Sequence, residues 1–196
     1  MTDHIDESFD EADLSERQFT HDTFENCTFR DADLRELSTD TVVFTDCDFS
    51  GANLADSRHR QSAFRNCTFR RSPMPSAVFS DCSLMGSMIS ESLLRAVTMT
   101  DCDLTLVSLG GLKIHKATLR GSRLREVNLS GTSLVDADLT DVDLSGARAV
   151  GATVTGSDLR GARVEATFWL QATVTETTVD PAHAVDFAVA HGLRLG

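Results

Sequence analysis

The sequence predicts an all-β solenoid, and three observations carry that reading. Counting from Phe9, every fifth residue as far as Val179 marks one register of 35 positions, and 33 of them are apolar. A chain that is 41% apolar would place only about 14 there by chance. Two residues before these centres the side chain is usually small, as at Ala12, Cys27, Ala32, Cys47, Ala52, Cys67, Ser87, Ser122, Ala137 and Ser157. Asp or Asn recurs just before the centre (Asp33, Asn53, Asp138), and Gly recurs two after it, from Gly51 to Gly161. A period of five fits neither the 3.6 of a helix nor the 2 of a simple strand. It fits one short extended segment and one corner per pentad. The large and the small position point inward, and Gly suits a corner with unusual dihedrals. Each unit buries too little alone, so stacked neighbours must supply the core.

The elements follow in order. Residues 1–8 are expected to be an N-terminal tail, 9–180 the solenoid, and 181–196 a capping and dimerisation helix with a short tail. Glu7, Arg17, Asp22, Leu37 and Leu112 break the small register. Thr39 and His59 are the two polar centres, and a local irregularity is expected around them. After Val179, Asp180 suits a helix cap, Pro181 its first position and Gly192 its end. Val185, Ala188 and Val189, with Ala184 and Phe187, make an apolar stripe. Phe168 and Leu170 fall at nominally outward positions beside Trp169. An open solenoid end needs covering, so a monomeric cap is the plainer reading. The outward Phe168 and Leu170 point further, to a two-fold dimer interface of Phe168, Trp169, Leu170, Val185, Phe187, Ala188 and Val189.

Three segments match one motif closely: Ala-Asp-Leu-Thr-Asp at 137–141, Val-Asp-Leu-Ser-Gly at 142–146 and Ser-Asp-Leu-Arg-Gly at 157–161. The chain resembles the pentapeptide-repeat proteins over roughly residues 7–180. That resemblance implies a right-handed quadrilateral β-helix with four pentads per coil. Residues 20 apart then stack. Cys27, Cys47 and Cys67 share a column, as do Cys82 and Cys102. Phe9, Phe29, Phe49 and Phe69 form one inward ladder and Phe24, Phe44 and Phe64 a second. About nine coils at ~4.8 Å each make a rod of roughly 40 Å.

Composition excludes several function classes. No apolar run approaches the ~20 residues of a membrane span. The acidic start lacks the basic and apolar parts of a signal peptide, so a cytoplasmic protein is expected. A net charge of −12 argues against direct contact with nucleic acid or an anionic membrane and favours a basic partner. There is no CxxC, P-loop or GxGxxG, the six histidines are dispersed, and all five cysteines sit at inward positions. No catalytic residue, cofactor or metal is expected.

Charge is segregated along the chain. Residues 1–56 carry 16 acids and three Arg, residues 57–125 four acids and 11 bases, and residues 126–144 five acids with no base. Within the family the chain is similar to the mycobacterial, Qnr-like fluoroquinolone-resistance branch. The similarity lies in residues 44–55, 62–69, 103–111, 143–148 and 188–193, and in the unbroken phase without projecting loops. It implies a homodimeric rod joined at its C-terminal ends that mimics DNA, binds DNA gyrase, inhibits it and protects it from fluoroquinolones. Two chains of net −12 carry −24, about half the ~47 charges on ~80 Å of B-DNA. Mimicry must therefore be local. The acids expected to meet gyrase are Glu126, Asp136, Asp138, Asp141, Asp143 and Asp158, extended by Asp31, Asp33, Glu36, Asp46, Asp48 and Asp56. The alternative is a generic interaction scaffold for another protein, with Val78, Met85, Met88, Leu93 and Leu106 as the contact.

Overall fold

The structure, a computed structural model, describes residues 2–194 and Gly196; Met1 and Leu195, in the two expected tails, lie outside the described residues. The chain winds into a right-handed quadrilateral β-helix of about nine coils. Segments 20 residues apart pair in parallel, which defines four faces. On the first face Asp3–Ile5, Thr23–Glu25, Val43–Thr45 and Ala63–Arg65 form one sheet, with His4 opposite Phe24, Phe24 opposite Phe44, and Phe44 opposite Phe64. The second face carries the Phe9 column, the third the Leu14 column and the fourth the Phe19 column. Where a strand shortens, single parallel bridges continue the same spacing, as from Ser83 to Asp103 and on to Arg123 and Asp143.

The corner residue, two after each centre, explains the turn. It takes a positive φ: 24 described corners do so without being Gly, from Asp6 at 55° to Glu176 at 52°. Its N–H donates to a carbonyl in the next coil, as from Glu11 to Arg30 at 2.7 Å and from Asp136 to Thr155 at 3.0 Å. The small inward position has a second role beyond fitting the interior. Its hydroxyl or thiol donates to the backbone of the preceding coil, from Ser87 Oγ to Phe64 O at 2.7 Å, Ser122 Oγ to Met99 O at 2.8 Å and Cys47 Sγ to Phe24 O at 3.4 Å. Cys, Ser and Thr are interchangeable there because each is compact and can donate. All five cysteines are buried free thiols.

The centres fill the interior. Phe9, Phe29, Phe49 and Phe69 stack with ring centroids 4.8–4.9 Å apart. Phe24, Phe44 and Phe64 stack at 4.8 Å and meet the first ladder edge-on. On the third face single bridges join Asp13, Asp33 and Asn53, the coil of Pro73 and Pro75 adds none among the described residues, since proline lacks the N–H a ladder needs, and the sheet starts at Leu94–Arg95.

Four expectations need correction. The solenoid begins before residue 9, at Asp3–Ile5. The ring of His4 stacks on Phe24 at 4.6 Å, so a polar residue occupies the first centre and most of the expected tail is coil. No irregularity surrounds Thr39 and His59, which face each other in paired strands. Thr39 Oγ1 lies 2.8 Å from His59 Nδ1 and donates to Ser62 Oγ at 3.0 Å, Ser57 Oγ lies 3.0 Å from His59 Nε2, and the imidazole stacks on Phe79. A complete buried polar set thus replaces two apolar centres.

The solenoid end holds a second helix that the register hid. Ala166–Gln171, here α1, replaces the last pentad of the second face, and Thr173–Thr175 then resumes the third. Gln171 restores what the helix removes: its Oε1 accepts the Ala149 N–H at 2.9 Å. Helical geometry turns Phe168 inward, so it is buried rather than outward, together with Trp169. Pro181–Ala190, α2, forms as expected. His183 ties it down: Nδ1 accepts from the Asp180 N–H at 3.3 Å and Nε2 contacts Ala162 O at 2.8 Å.

Burial holds His59 neutral and lowers its pKa from 6.5 to about 3. The unfolded chain takes up a proton below pH 6.5 that the folded chain refuses. Stability is therefore whole above that pH and falls as the pH drops towards 3, by about 1.4 kcal/mol per pH unit from this group. His59→Phe, which continues the ladder to Phe79, should flatten the stability–pH slope between pH 6 and 4 by about one proton. Denaturant melts of both proteins across that range measure it; equal slopes would show that His59 does not set the dependence.

Candidate functional site

The candidate acids divide into two kinds by their place in the pentad. Those just before a centre lie flat on a face, and their carboxylates cap the turn that follows. Asp138 Oδ1 accepts from Thr140 N at 3.0 Å and Thr140 Oγ1 at 2.7 Å. Asp143 accepts from Ser145 N at 3.0 Å and from Arg125 Nε at 2.6 Å. Asp158 pairs with Arg160 at 2.6 Å, Asp33 with Arg35, and Asp48 with Arg30 at 2.7 Å. These bonds shift titration. Partial burial would raise the Asp143 carboxyl, but Ser145 and Arg125 outweigh it and bring it down to about 2. Asp158 and Asp33 are lowered chiefly by their Arg partners. In Asp48 the bonds from Ser50 and Arg30 overcome burial.

The second kind sits at corners with positive φ: Asp31, Glu36, Asp46, Asp56, Glu126, Asp136 and Asp141. Among the described residues none of these seven is in an ion pair. Of the expected set, the face acids other than Asp138 are therefore largely neutralised within the rod, whereas these seven corner acids present bare charge.

The fold brings part of the expected set together. Asp136, Asp138 and Asp141 cross the fourth face within one coil, from one edge to the other, and Asp158 bridges Asp138 in the next coil. Asp143 starts the adjoining first face, and Glu126 stands at that face's far edge. Glu36 and Asp56 lie on the same edge as Asp136, several coils away. Asp46 shares Glu126's edge, four coils away, whereas Asp31, Asp33 and Asp48 sit on other faces or edges and do not join that surface.

The surface is also less uniformly acidic than residues 126–144 imply. Stacking places Arg120 and Arg160 beside Thr140, so the shallow groove there is lined by Arg120, Asp136, Asp138, Asp158 and Arg160. Conversely, Asp81 and Asp101 stand in the same corner column as Asp141, and Asp103 in the same face column as Asp143. They lie inside a stretch whose linear charge is basic. Summing charge along columns 20 apart would have found them.

At the C-terminal end Leu170, Val185, Phe187 and Val189 are exposed and Ala188 is half-buried, while Phe168 and Trp169 lie inside the protomer. Of the expected scaffold contacts, Met85, Leu106 and Met88 gather round the corner between the first and second faces. Leu93 is on the third face, and Val78 is half-buried on the fourth. Among the described residues no cluster of His, Cys, Asp or Glu is arranged to hold a metal, and no helix is long and apolar enough to cross a membrane.

A four-sided rod of stacked pentads with acids at its corners defines a solenoid repeat protein. The chain belongs to the pentapeptide-repeat family: the family's repeat-region profile matches residues 17–94 and its eight-copy repeat profile residues 122–161. Among solved structures it is similar to QnrB1, a plasmid-mediated fluoroquinolone resistance protein. A trypsin-treated form superposes with a TM-score of 0.88 at 19% identity, covering 100% of this chain and 98% of that one. Full-length QnrB1 gives 0.88 at 18% identity and 98% coverage of both chains. At that identity the likeness shows the fold. No curated protein matches the chain by sequence.

Corner acids and corner glycines are coupled. Gly161 has φ +71°, and a Cβ built on it would lie 2.2 Å from Asp141 Oδ1; Gly151 has φ +68° with nothing within 4 Å. Both Gly→Ala changes incur the left-handed backbone cost of about 1–2 kcal/mol. Gly161→Ala should cost more and displace Asp141. Thermal melts should rank Gly161→Ala below Gly151→Ala, and adding Asp141→Ala should remove the difference. Equal melting of the two single variants would refute the coupling.

Proposed function

We propose that the protein binds DNA gyrase in the cytoplasm through its acidic surface, competes there with DNA, and so inhibits the enzyme and protects it from fluoroquinolones. One observation carries the reading. Asp136, Asp138 and Asp141 cross one face in a single coil, and none is in an ion pair among the described residues. Regular negative charge on a rigid rod is what a basic DNA-binding surface recognises, and it speeds encounter at low salt. The fold shared with a fluoroquinolone resistance protein supports the same role. No chemistry is involved: the protein is an inhibitor by occupancy, not an enzyme.

The dimer belongs to this proposal. Leu170, Val185, Phe187 and Val189 form an exposed apolar end surface on which a second copy would seat, doubling the rod.

The test is a gyrase supercoiling assay at two salt concentrations. Inhibition should weaken with salt and with excess DNA. Asp136→Asn with Asp141→Asn should raise the inhibitory concentration at least about tenfold, the loss of two charge contacts. Asp143→Ala, whose carboxylate is already engaged by Arg125 and Ser145, should mainly lower stability, by about 1 kcal/mol. Inhibition insensitive to salt and to the corner variants, but lost when Met85, Met88 and Leu106 become Ser, would favour the scaffold reading. Phe187→Arg should leave a folded monomer in sedimentation; a persistent dimer would place the contact elsewhere.

A further inference from the structure

The third face carries a surface of the opposite sign to the rod. Leu93 and Arg95 flank one centre and Lys113 and His115 flank the next, in paired strands that place Arg95 beside His115. Lys116 occupies the adjoining corner with φ 54°. These five residues line one groove and all are exposed, Leu93 by 52%. Neighbouring coils are ~4.8 Å apart and flanking residues ~6.6 Å, so three cations and a His surround an apolar floor within a few ångströms. Towards the N-terminus the floor continues into Pro73 and Pro75, which stack beneath Leu93 and Arg95.

Seven of the rod's 16 arginines are spent on its own carboxylates: Arg30, Arg35, Arg60, Arg70, Arg123, Arg125 and Arg160 are in ion pairs. Arg95, Lys113 and Lys116 are in none among the described residues. Of the nearest acids, Glu91 at the preceding corner is held by Arg70 at 3.2 Å, and Asp136, next to Lys116 in the same corner column, is in no ion pair with it among the described residues.

We propose that this groove binds an acidic segment of a partner protein that carries an apolar side chain among its carboxylates. The cations take the carboxylates and Leu93 with the prolines takes the apolar group. The backbone of these coils is already committed to neighbouring coils, as from Ala96 N to His115 O at 2.9 Å and Lys116 N to Val135 O at 2.9 Å. Recognition is therefore by side chains and not by strand addition. The charge balance selects a peptide over nucleic acid. The patch spans two coils, and a polyanion that outran it would meet Glu91 at one edge and Asp136 at the other. The groove lies on the face opposite the first, away from Asp143, and its assignment does not depend on gyrase being the acidic surface's partner.

Fluorescence anisotropy with the full chain tests it, using labelled peptides of about a dozen residues: one of Glu and Leu, one of Gln and Leu, and a single-stranded DNA of similar length. The Glu–Leu peptide should bind at roughly 10–500 µM and weaken with salt, as a few exposed charge contacts allow. Lys113→Gln with Lys116→Gln should weaken it at least about fivefold and Leu93→Ser about threefold, with circular dichroism unchanged. No binding by ~1 mM, equal binding of the Gln–Leu peptide, DNA binding as tight as the acidic peptide, or indifference to the Lys variants would each overturn the proposal.

Discussion

The whole rod depends on the corner. Every five residues the backbone enters the left-handed region, at φ between 48° and 62° for the non-glycine corners. That conformation costs an L-residue about 1–2 kcal/mol, and it recurs through every coil. It persists because the corner N–H meets a carbonyl of the next coil and because the turn delivers a large and a small side chain to the interior. Neither return exists for an isolated pentad. The corner is thus a non-local object: a residue adopts it only when a coil is stacked beside it, which makes the fold cooperative along its axis.

The same corner decides what the surface can display. A side chain on a face lies between neighbours in adjacent coils, within reach of the turn's own N–H groups and of stacked Arg. Asp103, Asp143 and Asp158 are absorbed in this way, and what they contribute is order. A corner side chain stands further from its neighbours, and where the next residue in its column is Gly it can lean over that Gly instead of meeting a partner. Asp136 leans over Gly156 and Asp141 over Gly161. Asp and Asn tolerate the left-handed region better than most residues, so the backbone itself biases corners towards short polar side chains. An acidic rod arises from turn chemistry; whether the acid stays bare is decided by its neighbours in adjacent coils, as Arg70 decides it for Glu91.

This explains which parts were legible in the sequence. Centres such as Phe44 and Leu139 are read directly, because period five is a local property and burial demands it at each step. Thr39 and His59 break the rule in composition but not in structure: their partners, Ser57 and Ser62, sit at small inward positions that look ordinary. His4 is in phase but polar, and only its stack on Phe24 shows it to be a centre. Trp169 is in phase and apolar yet belongs to a helix, and the corner positions beside it give no warning: Ala166 and Gln171 are residue types that Ala96 and Gln61 show at ordinary corners. The acidic surface was half legible. The Asp136–Asp143 run is visible in the chain, but Arg120 and Arg160 beside it, and Asp81 and Asp101 in line with it, become neighbours only across coils.

The C-terminal end shows how the repeat stops. A solenoid ends with unpaired ladder groups and an open core, and one more pentad would only move the problem along. Here α1 withdraws the second face from the ladder, Gln171 supplies the missing acceptor, and Phe168 and Trp169 plug the interior. His183 then fastens α2 to the last coil through Ala162. The cap is complete as a cap, and it still leaves Leu170, Val185, Phe187 and Val189 facing out, more apolar surface than closure of one rod requires. The two-fold contact proposed there would set two rods end to end. It would lengthen the acidic corner columns without altering a single coil, the cheapest extension open to a fold whose cross-section is fixed by four corners.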